Sequence, residues 1–253
     1  MPIADDHNSG HPEHGQSEVI DHARLVKRVE NIYGRVLAAL AATVSLRDEA
    51  ASGHCERVAH NSTALARALA HKHERAQEGG ESKATEQAID LNFNSVYWAS
   101  MLHDIGKIVV PEEILLAARP LTEPEMEIVK THVDVGADLI AGLSYDFDAI
   151  AEGIRSHHEL WDGSGYPQGL KGEEIPQVGR CIAIADVFEA MTTPRPYHQR
   201  IGEREGLDHI RSLAGTHLWP EGVEAFCDLW REGGIFSSRS RFIPPVEGVP
   251  PLS

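Results

Sequence analysis

The spacing of the apolar residues constrains this chain most: they recur every three or four positions, and no stretch alternates residue by residue. Val26, Val29, Ile32, Tyr33, Val36, Leu37 and Leu40 mark one amphipathic helix, and Val58, Ala59, Leu65, Ala66 and Leu69 line one face of a second over about 52–74. Thr122-Glu123-Pro124-Glu125 has the form of a capping box with proline in the first turn, so a helix is expected from there through about Leu139. Further helices are expected over about 93–105, 147–158, 177–192, 204–214 and 220–231. The segment WDGSGYPQGLKGEEIP carries four glycines and two prolines and cannot be helical throughout. The implied architecture is all-α, in one domain.

The ends differ in character. Residues 1–17 are rich in Asp, His, Gly, Pro and Ser without periodic hydrophobes and read as a disordered leader, followed by an N-terminal helix over 18–45. The tail over 233–253 is proline-rich, and Glu74 to Asp90, charged and containing Gly79-Gly80, reads as an exposed insertion. With 23 Lys plus Arg against 39 Asp plus Glu, the formal charge is −16, and no basic stripe suits a nucleic-acid polymer. No apolar run is long enough to span a membrane and no export signal is evident, so a cytoplasmic protein is expected. Cys55, Cys181 and Cys227 are far apart and odd in number, which suits small core residues rather than disulfides or a thiolate zinc site.

Fifteen histidines is a large number for such a chain. His7, His11, His14 and His22 belong to the leader region, but His54, His103-Asp104, His132, His157-His158 and Asp186 interrupt helical segments. Taken singly, each has an ordinary explanation: a satisfied histidine, a helix cap at Asp104, a helix end at His157-His158, or an ion pair of Asp186 with Arg180. Together they form five imidazoles and two carboxylates, enough for two metal ions if Asp104 bridges. Asp186 stands among Ile182, Ile184, Ala185, Val187 and Phe188, where an ionised carboxylate must be paired or coordinated. Nitrogen and oxygen ligands without thiolate favour iron, manganese or another first-row divalent metal. Two such ions can clamp a phosphodiester and hold a bridging hydroxide for its hydrolysis.

The ordered segments MLHDIGKIVVPEEIL, KTHVDVGADLI, HHELWDGSGYPQGLKGEEIP and ADVFEAMT resemble those of the HD-GYP family, a subgroup of the HD metal-dependent phosphohydrolases, from about Arg47 to Phe226. The resemblance implies an HD-type helical bundle with a GYP loop over 46–232. It also implies a cyclic di-GMP phosphodiesterase yielding pGpG, with GMP as a further product. Carried over by position, it makes His54, His103, Asp104, His132, His157, His158 and Asp186 the metal ligands and gives Lys107 a phosphate or leaving-oxygen contact. Gly165-Tyr166-Pro167 is the signature loop, and Tyr166, Lys171 and Arg195 are candidate substrate contacts.

Two departures from the family pattern matter. Ala50 stands where some members place a third-metal glutamate, so two ions are expected, and Pro194 replaces an acidic residue before Arg195-Pro196-Tyr197. A diguanylate cyclase or other signalling protein docking on the GYP loop, and a homodimer through the N-terminal helix, are compatible partners. The competing functions are a cyclic dinucleotide receptor with poor turnover and a hydrolase of another nucleotide.

Overall fold

The computed structural model describes residues 32, 35–37, 39–41, 53–78, 92–141, 147–193 and 200–235. Among them the named helices are α1 (His54–Glu78), α2 (Phe93–Leu102), α3 (Glu112–Leu115), α4 (Glu123–Lys130), α5 (His132–Ala141), α6 (Asp148–Ser156), α7 (Gln177–Thr192), α8 (Glu203–Ser212) and α9 (Pro220–Arg231). Short 3-10 turns cover Ile105–Val109 and Gly172–Glu174. There is no strand among the described residues, as the apolar spacing predicts. The leader, Ala50, residues 79–90 of the expected insertion, Arg195 and the tail beyond 235 lie outside the described residues, whereas the start of that insertion, 74–78, is the last part of α1 rather than a loop.

Two helices are apolar on nearly every side, and these form the centre. In α2 the residues Ser95 to Leu102 are all buried, and in α7 burial extends from Val178 to Thr192 on several faces. A helix buried all round cannot serve as an outer layer, and α1, α6 and α9 pack around this pair while α5 packs on α6. The predicted face of α1 is the packed one: Val58, Ala59, Leu65, Ala66 and Leu69 have no exposed surface. Phe188 of α7 meets Phe226 of α9 edge to face with ring centroids 5.2 Å apart. The three cysteines are free and buried, as expected. No helix among the described residues is long and apolar enough to cross a membrane.

Two expected helices are shorter than their periodicity. The stretch from Thr122 opens with the predicted capping box but breaks at Thr131, separating α4 from α5. There the Thr131 hydroxyl donates to the Ile128 carbonyl at 2.7 Å and the His132 ring to the Val129 carbonyl at 2.7 Å. Side chains thereby compete with the backbone for the acceptors of a continuing helix. The helix from Phe93 ends at Leu102, and the chain then tightens into the 3-10 turn after Asp104.

Candidate metal centre

Most of the candidate ligands come from helix ends. His54 is the first residue of α1, His103 and Asp104 follow α2, His132 opens α5, and His157 and His158 follow α6; only Asp186 lies within a helix, α7. A helix end has backbone carbonyls without intrahelical donors, and three imidazoles use them. The Nδ1 atoms of His103, His132 and His157 lie 2.7, 2.7 and 2.6 Å from the carbonyls of Ser100, Val129 and Ile154. A ring that donates from Nδ1 is fixed in orientation and presents the lone pair of Nε2.

The structure gathers these groups into two sets. The donor atoms of His132, His157 and His158 lie within 4.8 Å of one another, and so do those of His54, His103 and Asp104. Asp104 spans them: Oδ2 is 3.4 Å from His103 Nε2 and Oδ1 is 3.6 Å from His132 Nε2. Asp186 Oδ1 closes the set of His54, His103 and Asp104, 3.3 Å from His54 Nε2 and 4.0 Å from His103 Nε2. Two of the ordinary explanations do not apply. Asp104 makes no side-chain cap bond, and Arg180 donates to the carbonyls of Ile175 and Glu173 rather than to Asp186.

Divalent cations fit this set. His132 Nε2 and His157 Nε2 are buried without a hydrogen-bond partner, a costly arrangement for a polar atom unless something coordinates it, and every candidate donor is imidazole or carboxylate. Burial holds His157 well below the usual imidazole range, reinforced by the neighbouring His158 and His103. Burial likewise lowers His132 and brings His158 to about 4, so these rings are neutral at neutral pH, the form in which imidazole can coordinate a metal. Burial works against ionisation of Asp104, yet Lys107 and His103 hold its carboxyl well below its usual range. For Asp186 the same burial is overcome by His54 and His103. Metal-free His54 goes the other way: desolvation opposes the charge, but Asp186 and Glu189 raise it to about 9.

The remaining candidates separate. Lys107 is at the site, its Nζ donating to Asp104 Oδ2 at 2.7 Å. Tyr166 stacks on His158 with centroids 4.9 Å apart and planes 24° from parallel. Lys171 sits farther along the loop, where its backbone N–H donates to Glu174 and its side chain flanks Gly163; no described contact joins it to the histidines. Sequence reasoning passed over the loop's anchor. Glu159, 2% exposed, accepts the backbone N–H of Gln168 and Leu170 through its two oxygens at 2.7 and 3.0 Å. Gly165 lets the loop lie against the backbone of Glu159 and Leu160, which any Cβ would strike. Sequence reasoning also passed over Glu189 and Arg57. The signal was a second acidic residue one turn after Asp186 in the same apolar run, matched by an arginine one turn after His54.

Beside the metal set opens a cavity of about 630 Å³. His157, His158 and Asp186 line it together with apolar residues that include Val187, Met191 and Leu213.

Fold and site together define an all-helical protein built around a histidine and aspartate centre suited to divalent cations. The profile of the HD domain family matches residues 38–222. The cyclic di-GMP phosphodiesterase of Thermotoga maritima is 44% identical over 138 residues, 54% of this chain and 38% of that protein. The cyclic di-GMP phosphodiesterase response regulator RpfG of Xanthomonas campestris pv. campestris is 34% identical over 79% of this chain and 49% of its own. A crystal structure of a cyclic GMP-AMP-specific phosphodiesterase of Vibrio cholerae superposes with a TM-score of 0.52 at 20% identity, covering 78% of this chain and 48% of that one, a likeness of fold. The chain spans about half or less of the length of these relatives. It belongs to the HD domain family, in its HD-GYP group.

Proposed function

We propose that this chain is the catalytic unit of a metal-dependent phosphodiesterase that opens cyclic di-GMP to pGpG, with GMP as a further product. The observation that carries the reading is the division of the Asp104 carboxylate, one oxygen toward each histidine set. A bridging carboxylate between two nitrogen-rich sets is the arrangement a two-metal phosphoester site needs. The names of the two cyclic di-GMP phosphodiesterase relatives supply the substrate class.

In this reading His54, His103, Asp104 and Asp186 hold one divalent ion, and Asp104, His132, His157 and His158 hold the other. Iron or manganese suits the thiolate-free ligands. When bound, the ions supply the charge that activates water and stabilises the displaced oxygen. Lys107 serves as a cation and proton donor for the oxygen leaving phosphorus, with Asp104 holding its ammonium at the site. Tyr166, fixed over His158, offers a purine a flat face. The apolar cavity next to His158 and Asp186 takes the adjoining nucleoside out of water. Lys171, along the GYP loop, and Arg195, outside the described residues, remain candidate phosphate contacts, and the GYP loop a candidate docking element for a signalling partner.

The test is product analysis with anaerobically purified protein, loaded with iron or manganese and assayed for metal content, incubated with cyclic di-GMP beside an Asp104→Ala control. The expected result is pGpG or GMP from the wild type alone. No product from demonstrably loaded wild type would overturn the reading in favour of a receptor, and turnover confined to another cyclic dinucleotide would overturn the substrate assignment.

A further inference from the structure

His54 lacks the carbonyl support that three of the other imidazoles of the proposed centre have. His103, His132 and His157 are each fixed by the carbonyl three residues upstream, which the end of a preceding helix leaves available. His54 opens its helix, so no helical carbonyl precedes it, and the carbonyl of Gly53 is taken by the Arg57 N–H at 3.1 Å. With Nε2 facing Asp186, Nδ1 needs an acceptor from elsewhere.

The nearest candidate is Glu189. Its Oε1 lies 3.7 Å from His54 Nδ1, and the carboxylate has no exposed surface. A buried anion of this kind requires a fixed partner. Arg57, one turn along α1 from His54, provides it, donating Nε and a terminal nitrogen to the same Oε1 at 2.8 and 2.6 Å. The two helices thus present matched pairs at one-turn spacing: His54 and Arg57 on α1, Asp186 and Glu189 on α7. His54 Nδ1 and Glu189 Oε2 are both buried with no hydrogen-bond partner, so a small shift of the two side chains lets the ring donate to the carboxylate while the arginine stays on Oε1.

We propose that Glu189 is the positioning residue for His54, accepting its Nδ1–H so that Nε2 is aimed at the ion it shares with His103 and Asp186, while Arg57 clamps the carboxylate. Glu189 is not itself a ligand in this arrangement, because the guanidinium already occupies Oε1 and would repel a third cation beside it. The inference rests on the two-metal reading above but not on the identity of the substrate.

The experiment is titration of the metal-free full chain with Co2+, read by the visible ligand-field spectrum and by bound metal per chain. Wild type is expected to bind two ions. Glu189→Ala should weaken one of them about 10- to 100-fold, the usual loss when an outer partner of a metal-bound histidine is removed, and leave the other unchanged. Glu189→Gln, whose amide oxygen still accepts from Nδ1–H, should recover much of that loss. Arg57→Met should weaken the same ion. In a His54→Ala background, Glu189→Gln should cost nothing further, which keeps the test decisive if Glu189→Ala does not fold.

Unchanged Co2+ affinity in Glu189→Ala, or an additional loss in the His54→Ala background, would overturn the positioning role. Tighter binding or a third ion in Arg57→Met would overturn it in favour of Glu189 as a ligand. Wild type that binds no metal would defeat the two-metal reading itself, a result separate from these.

Discussion

A methyl group at Gly106 would have nowhere to go. The position lies against the His132 carbonyl and the Gly136 backbone N, so at Gly106 the 3-10 turn that follows Asp104 meets the start of α5 backbone to backbone. That contact sets the distance between Asp104 and His132. Gly106→Ala is therefore expected to push the two apart and to destabilise the protein by more than the ~1–3 kcal/mol typical of overpacking, since no flexible side chain can give way. Thermal unfolding and bound manganese per chain would check it; a variant with wild-type Tm and full metal content would refute the argument. The histidines and aspartates of the site are legible in the sequence because their chemistry is unusual inside helical segments. Gly106 is not legible in that way: its role depends on a neighbour 26 positions along the chain that only the fold brings near. Glu189 and Arg57 are hidden for the same reason, each looking like an ordinary charged residue on a helix until the other is seen against it.

Helix ends explain both where the candidate ligands sit and how their protons behave. The apolar period locates α1, α7 and α9 closely, because their buried faces are long, but it runs straight through the break at Thr131 and past the end of α2 at Leu102. In both places a short polar contact or tight turn outweighs a pattern that averages over many residues. These breaks are the points at which His132 and His103 leave the regular helix for the site. The sign of the pH response follows from their burial. His157, His132 and His158 are lowered chiefly by desolvation, His158 to about 4, and burial also lowers His60 to about 4. Between about pH 6.5 and 4 the unfolded chain therefore binds more protons than the folded one, and stability is lost as pH falls through that window. Metal-free His54 is raised to about 9 by Asp186 and Glu189 against its own desolvation; its contribution is complete below about pH 6.5 and is lost as pH rises through about 9. Metal-free protein should thus unfold at its highest temperature near pH 7, with Tm falling toward pH 5 and toward pH 9. Calorimetry across that range would test this, and a Tm flat from pH 7 to 5 would contradict it.

At the scale of the whole molecule, the proposed ligands come from α1, the turn after α2, the start of α5, the turn after α6, and α7, so the ions would tie together the helices that enclose the core. Ligands that bind only the folded state stabilise it by mass action, by about 2.7 kcal/mol at a free concentration 100 times Kd. For a chain of this size, that corresponds to a Tm shift of about 5–10 °C for each ion. Chelation should lower Tm by that order while leaving far-ultraviolet helicity at room temperature nearly unchanged, because the core is packed by apolar side chains rather than by the candidate ligands. Phe188 supplies the control. It is fully buried against Phe226, and Phe188→Leu removes packing without touching a donor. Its cost should be the same with and without metal, since independent sites add, although Phe188 lies two residues after Asp186 on the same helix. If chelation and Phe188→Leu prove strongly non-additive, then core and centre are one cooperative unit, and the metals maintain the packing of α7 as well as supplying charge for the chemistry. If they add, the bundle is a self-sufficient scaffold that presents ligands from its helix ends, and loss of metal silences the protein without unfolding it.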